Sequence, residues 1–234
     1  MKQVIVVGGT GYIGRPLIRK LLADGFLVTA VARPRSEAKL PAGCIVITGN
    51  ALDSRTYDDR ILAGSTFAHL VGTPHPAPWK ASEFRSVDLV SLEQSVTAGR
   101  RAGVGHFVFV SVAHPAPLMR AFIEIRIKCE RQIRESGLNA TILRPWYVLG
   151  PGHYWPYILV PFYKALETIP ATRESAVRLG MVTRPQMVNA LAAAVASSAP
   201  GIRVLETAAI RLSGSTHQGG DAIAAESAST AKRN

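Results

Sequence analysis

Lys2-Gln3-Val4-Ile5-Val6-Val7-Gly8-Gly9-Thr10-Gly11-Tyr12-Ile13-Gly14 opens the chain and decides how the rest is read. Residues 2 to 7 are a continuous β-rich apolar run, the pattern of a central parallel strand covered on both faces. Past the glycines, Ile13, Leu17 and Leu21, with Ile18 and Leu22 beside them, repeat at helical spacing from Tyr12 to Ala23, and Asp24-Gly25 supplies the stop. Leu27 to Ala32 reads as a second strand. Strand, glycine turn, helix and strand make the first βαβ unit of a doubly wound fold, whose crossover is right-handed. The turn also carries a chemical expectation. A pyrophosphate can approach backbone closely only where side chains are missing, and a helix N-terminus offers unpaired N–H groups and a positive dipole end. Gly8, Gly11 and Gly14 meet that need, so a dinucleotide cofactor is expected, the alternative being a tight turn that binds nothing.

The alternation continues outward from this unit. Cys44 to Thr48 reads as a third strand, Ser54 to Leu62 as a short helix, and Thr66 to Val71 as a fourth strand. A long helix is predicted over Ser82 to Arg101 and a fifth strand over His106 to Val112. Leu118 to Ser136 reads as a further helix closed by Gly137, and Ala140 to Leu143 as a sixth strand before Arg144-Pro145. The fold class is therefore α/β, a Rossmann-type doubly wound parallel sheet with a short C-terminal substrate-side segment, in one domain over residues 1–210. From 146 to 183 the periodicity breaks. Pro145, Pro151, Pro156, Pro161 and Pro170 punctuate a stretch containing Trp146, Tyr147, Tyr154, Trp155, Tyr157, Phe162 and Tyr163. Such a segment belongs over the carboxyl ends of the strands, where open α/β sheets bind ligands, and reads as a lid or pocket wall, or equally as packing for a short C-terminal subdomain. Pro185 to Ser197 is an alanine-rich closing helix and Arg203 to Glu206 a candidate last strand. The Gly/Ser/Ala-rich residues 213–234 read as a disordered tail.

Composition narrows the function classes. At 234 residues and 47% hydrophobic, the chain suits one α/β domain with a sizeable core. Cys44 and Cys129 match no metal or redox spacing and are expected to be buried, reduced thiols. No run approaches the roughly 18 apolar residues of a membrane span, and glycine arrives too early for a signal peptide, so a cytoplasmic location is expected. The net charge of +11 is dispersed. Its densest stretch, 120–134, pairs Arg120 with Glu124, Arg126 with Glu130 and Arg131 with Glu135 at the (i, i+4) spacing of a solvated helix. No nucleic-acid-binding signature accompanies the charge, so a DNA-binding regulator is the least favoured reading.

The spacing of the turn is GxxGxxG, and GGTGYIG resembles the extended and atypical short-chain dehydrogenase/reductase superfamily. Gly49-Asn50-Ala51-Leu52-Asp53 is similar to its GDxxD segment, and Phe107-Val108-Phe109-Val110-Ser111 to its fifth strand with a trailing serine. Ser136-Gly137-Leu138-Asn139-Ala140-Thr141-Ile142-Leu143-Arg144-Pro145 matches SGLxxTILRP. The resemblance covers residues 1–150 and points to an NmrA-like or epimerase-like branch. It implies that Thr10, Gly11, Tyr12 and Ile13 contact the pyrophosphate, Asn50, Ala51 and Leu52 the adenine, Val71, Gly72 and Thr73 the adjacent ribose, and Pro145, Trp146 and Tyr147 the nicotinamide end.

The second strand ends Val31-Ala32-Arg33-Pro34-Arg35, with no acid to hold an adenosine ribose. Arg33, with Arg35 or Lys39 as alternates, suits a 2′-phosphate, so NADP is preferred and NAD stays open; the competing reading of Arg33 is a solvated loop arginine. Catalysis is less clearly marked. The superfamily's Tyr-x-x-x-Lys falls on Phe122 and Arg126, which removes the general acid/base while leaving Arg126 able to hold the nicotinamide ribose or a substrate anion. Ser111 is present, but Val112 follows it where a hydroxyl is common. His75, His114 and His153 sit in loops after strands four, five and six and are candidate replacements, as are Tyr147 and Tyr154; loop histidines are frequent, and each of these residues reads more readily as an ordinary loop residue. Two functions follow: an oxidoreductase or epimerase-like enzyme on a small organic substrate, or a non-catalytic NmrA-like redox sensor or scaffold.

Overall fold

The computed structural model describes residues 2–116, 118–151 and 179–213. The main sheet has seven parallel strands in the order β3-β2-β1-β4-β5-β6-β9. They are β1 (Gln3–Val7), β2 (Leu27–Ala32), β3 (Ile45–Thr48), β4 (Thr66–His69), β5 (His106–Val110), β6 (Ala140–Arg144) and, last in the chain, β9 (Ile202–Glu206). The Rossmann expectation holds, and the candidate last strand at 203–206 joins the sheet beside β6. Helix α1 is Gly14–Ala23, α2 is Val90–Ala102, α3 is Arg120–Glu135, α4 is Arg184–Ala196 and α5 is Thr207–Leu212.

Side-chain alternation along β1 shows how the layers form. Val4 and Val6 face Leu17, Ile18 and Leu21 of α1 and Met187, Leu191 and Val195 of α4. Ile5 and Val7 face the other layer, with Leu92 and Val96 of α2 and Ile125, Cys129 and Ile133 of α3. Both faces are covered, which is why β1 reads as an unbroken apolar run instead of an alternating one. The sheet reverses direction of winding between β1 and β4, and the crevice of an open α/β sheet lies at that switch point.

Several boundaries differ from the sequence expectation for identifiable reasons. Helix α1 starts at Gly14 and not Tyr12, because residues 11–13 are used by the turn; the Gly11 N–H donates to the Gly8 carbonyl at 3.1 Å. The helix expected over 54–62 is instead two 3-10 turns, Ser54–Thr56 and Asp58–Arg60. There the Asp53 carboxylate accepts from the Arg55 N–H and the Thr56 hydroxyl donates to the Asp53 carbonyl, so side chains satisfy the backbone locally. The long helix expected over 82–101 is present but not uniform. It opens at Ala81–Glu83, widens into a π-helical stretch at Phe84–Leu89, and continues as α2. A second, unexpected two-stranded parallel sheet joins β7 (Tyr147–Leu149) to β8 (Met181–Thr183). Most of the lid segment expected at 146–183, and nearly all of the tail expected at 213–234, lie outside the described residues. Among the described residues, no helix is long and apolar enough to cross a membrane.

Both cysteines are free thiols, but only Cys129 is fully buried, and burial pushes its thiol up to about 12. Cys44 is half-buried and donates to the Pro41 carbonyl at 3.1 Å. The core also contains an ionisable group. His69, at the end of β4, is completely buried between Phe107 and Phe109, with Nδ1 2.9 Å from the Ser95 hydroxyl. Burial, reinforced by the Arg126 charge, lowers its pKa to about 3. The unfolded chain takes up this proton near the ordinary histidine value of 6.5 and the folded chain does not, so stability is present above 6.5 and declines as pH falls toward 3. His69→Gln, which keeps a polar partner for Ser95, is expected to flatten the fall of Tm between pH 7 and pH 4. An unchanged slope in thermal melts would show that His69 does not drive it.

Candidate functional site

At the carboxyl ends of β1, β4, β5 and β6 the structure opens a cleft of about 480 Å³. One end is the glycine turn, and its geometry explains the three-residue glycine spacing. A Cβ on Gly14 would lie 2.3 Å from the Gly8 carbonyl oxygen and 2.7 Å from Gly9 Cα. Gly8 itself has φ +93° and backs onto the Leu70–Val71 backbone, 2.7 Å from where a Cβ would stand. Gly11 is exposed, and a Cβ there would meet only the Gly8 carbonyl at 3.2 Å. So Gly8 and Gly14 let α1 dock onto β1, and Gly11 leaves the mouth of the turn open. Dinucleotide chemistry fits this cradle, since the open backbone lies at the N-terminus of a ten-residue helix.

Of the expected site residues, the cleft brings together Gly8, Gly11, Tyr12, Ile13, Gly14, Val71, Gly72, Thr73, Ser111, Arg126, Pro145, Trp146 and Tyr147. Thr10 lies just outside, in a neighbouring polar cleft with Arg15, Arg19 and Arg184, where the Arg184 guanidinium stacks 5.0 Å from the Tyr12 ring centroid. Arg33 is exposed at the end of β2 and is not among the residues lining this cleft. Asn50, Ala51 and Leu52 belong to the loop after β3 and do not line it either. There the Asn50 carboxamide accepts from the Leu52 N–H at 3.1 Å, and Leu52 is largely exposed. His75 belongs to the cleft wall, in a left-handed backbone conformation at φ 48°. His114 instead turns toward Glu130, its Nε2 3.6 Å from the carboxylate. His153 and Tyr154 lie outside the described residues.

Phe122 lines the cleft, and the tyrosine's place is filled by a ring used for packing. It tilts against Phe84, with centroids 5.0 Å apart, and covers the Arg126 guanidinium at 5.0 Å. Phe109 flanks the same guanidinium at 5.5 Å. Arg126 does not pair with Glu130 on a solvated helix face, as the (i, i+4) spacing suggested. Both are buried and each looks elsewhere. Arg126 Nη2 donates to Asp88 Oδ1 at 2.6 Å and Nη1 to the Val110 carbonyl at 2.9 Å. Glu130 receives Arg144 Nε at 2.9 Å and the Ser111 hydroxyl at 2.6 Å, and Arg144 also reaches Glu206 at 2.8 Å. Burial raises the Glu130 pKa, but the bonds from Arg144 and Ser111 outweigh it and hold the carboxyl below its ordinary value.

Asp88 is the functional-site residue the sequence reading missed. Its carboxylate is buried, and its second oxygen accepts from the Thr73 N–H at 2.9 Å and the Thr73 hydroxyl at 2.6 Å. One side chain thus ties the loop after β4 to α3. Gly72 makes room for the pair, because a Cβ there would sit 2.6 Å from Arg126 Nη2. The signal was available: Phe84, Asp88 and Leu92 are spaced four apart and all buried, so an acid stands inside an apolar stripe.

Residues 8–154 match the family described as NAD(P)H-binding. The chain belongs to that family. A nicotinamide dinucleotide is therefore its cofactor class. It is 29% identical over 160 residues to the divinyl chlorophyllide a 8-vinyl-reductase of Oryza sativa subsp. indica, covering 61% of this chain and 39% of that protein. It is 26% identical over 151 residues to a ceramide reductase of Caulobacter vibrioides, covering 64% and 47%. It is 26% identical over 149 residues to the photosystem II assembly factor Ycf39 of Cyanophora paradoxa, covering 61% and 44%. The matches thus span about half the length of these curated relatives or less. Among solved structures, the Thermus thermophilus UDP-glucose 4-epimerase in complex with NAD shares the fold at TM-score 0.63 and 17% identity, over 90% of this chain and 81% of that one. The Bordetella bronchiseptica enzyme WbmH in complex with NAD+ does so at 0.65 and 18%, over 88% and 75%.

Gly14→Ala tests the cradle directly. The clash is with backbone, which cannot rotate away, so the substitution is expected to lower stability by about 2 kcal/mol or more in denaturant unfolding. Loss within about 0.5 kcal/mol would mean that the turn relaxes freely.

Proposed function

We propose that this protein is an NADP-preferring oxidoreductase acting on a small organic substrate. The observation that carries this reading is one continuous cleft, with the phosphate-type glycine turn at one end and an aromatic wall of Phe122, Trp146 and Tyr147 at the other. Gly8 to Gly14 would hold the pyrophosphate, Asn50 to Leu52 the adenine, Val71 to Thr73 and Arg126 the riboses, and Pro145 to Tyr147 the nicotinamide. A reduced nicotinamide bound there supplies a hydride. Arg126 is held rigid by Asp88, Val110 and two rings, so it orients what it touches without moving. Phe122 has no proton to give; among the described residues, Tyr147 and His75 stand in the cleft wall as candidates to exchange one with a substrate. The reductases among the relatives support the oxidoreductase class.

Arg33, exposed at the end of β2 with no acid beside it in sequence, supports NADP over NAD. NADPH is expected to bind at least tenfold, about 1.4 kcal/mol, more tightly than NADH in a fluorescence titration, and Arg33→Ala to abolish most of the difference. Equal dissociation constants for the unsubstituted protein would sink the preference.

Phe122 favours a second reading, a non-catalytic NADP-binding sensor or scaffold, and the assembly factor among the relatives agrees with it. The two part on one assay. Steady loss of NADPH absorbance with one member of a panel of enones and quinones is expected for the enzyme. Tight NADPH binding with no oxidation by any of them supports the sensor.

A further inference from the structure

We propose that two proline loops beside the cleft form a docking wedge, by which the protein seats this edge of its sheet on the headgroup region of an anionic lipid bilayer. The proposal goes beyond the oxidoreductase reading and does not depend on it. The loops after β4 and β5 carry the same short motif, His75-Pro76-Ala77-Pro78-Trp79-Lys80 and His114-Pro115-Ala116-Pro117-Leu118-Met119-Arg120. Each motif ends in a large apolar residue followed closely by a cation. Trp79 is 81% exposed and Leu118 is 65% exposed, so the rest of the chain covers little of either.

The fold sets these two residues beside each other. Strands β4 and β5 are parallel neighbours, and both loops leave the same edge of the sheet. The helical segments that follow run alongside in one register. Phe84 meets Phe122 with centroids 5.0 Å apart, and Asp88 meets Arg126 at the same sequence offset of 38. One turn earlier that register brings Lys80 opposite Leu118, and the 3-10 turn Pro78–Lys80 packs against α3. Pro74, His75 and Pro76 on one side and Phe122 on the other line the cleft, so the wedge stands at its mouth.

Proline suits such a site. It has no N–H to be stripped of water as backbone nears the acyl boundary, and its fixed φ limits the entropy lost when Trp79 and Leu118 are held in place. An indole is favoured at a bilayer interface, where its ring is buried and its N–H stays wet. In these segments the cations Lys80, Arg85 and Arg120 outnumber Glu83 and Glu124, and the net charge of +11 adds long-range attraction to an anionic surface. Two apolar residues with flanking cations give reversible binding at the surface, not a membrane span.

The test mixes the full chain with vesicles of phosphatidylcholine and phosphatidylglycerol, with a parallel set in which the phosphatidylcholine carries brominated acyl chains. Co-sedimentation and tryptophan fluorescence are read. The protein is expected to sediment with the vesicles, with part of its fluorescence blue-shifted and quenched by the brominated lipid. Trp79→Phe is expected to remove the quenched component. Trp79→Ser combined with Leu118→Ser is expected to weaken partitioning at least tenfold, with the fold kept because both positions are exposed. Absence of sedimentation overturns the proposal. So does sedimentation without quenching that about 0.5 M NaCl abolishes, which is adsorption by charge alone, or a double variant that binds as well as the unsubstituted protein. Trp79 fluorescence already blue-shifted without lipid, in a particle heavier than one chain, makes a second copy the occupant and overturns it too. NADPH binding is titrated separately, and its failure bears on the cofactor reading alone.

Discussion

The contact between Gly14 and the Gly8–Gly9 backbone is the constraint from which the rest of this structure follows. Two backbones approach here to a distance that admits no side chain, and the N-terminus of α1 is thereby pressed onto the end of β1. With α1 placed, β2 returns parallel to β1 through a right-handed crossover, and the sheet's switch point falls between β1 and β4. The cleft is the consequence. It opens at the carboxyl ends of these strands, with the glycine turn at one end.

On the opposite wall, charge takes over from close packing. The Asp88–Arg126 pair and the Glu130–Arg144 pair lie under neighbouring parts of the same cleft, and each ties segments far apart in sequence. Thr73, Asp88, Arg126 and Val110 come from a loop, a π-helical stretch, α3 and β5. Such pairs contribute little net stability compared with apolar packing, but they are costly to break singly. Their value here is positional. They fix the loop after β4 and the trailing serine of β5 relative to one another, and so define the shape into which a ligand must fit. The π-helical stretch belongs to this device, since its wider turn accompanies the inward placement of Phe84 and Asp88 on the buried side.

Phe122 is intelligible in the same terms. Its ring tilts against Phe84 and covers the Arg126 guanidinium while lining the cleft. The cation is retained, its direction is set by Asp88, and its face is covered by the ring that lost the proton.

The sequence by itself determined the β1–α1–β2 unit, the glycine turn, the parallel sheet and most of the residues that gather around the cleft, because period, glycine spacing and strand-end chemistry are local properties. Gly8, Gly11 and Gly14 could be understood from thirteen consecutive residues. The partners of Arg126 and Glu130 were not legible in this way. Four-residue spacing made them look like each other's counter-ions on a wet helix face, and only the packing of α3 against the sheet and the π-helical stretch buried them and assigned Asp88 and Arg144 instead. The small β7–β8 sheet was hidden for the same reason, since it pairs residues more than thirty positions apart whose short apolar runs carry no signal alone. Local pattern specifies which elements form. Which charges meet depends on how those elements are stacked, and stacking is a property of the whole chain.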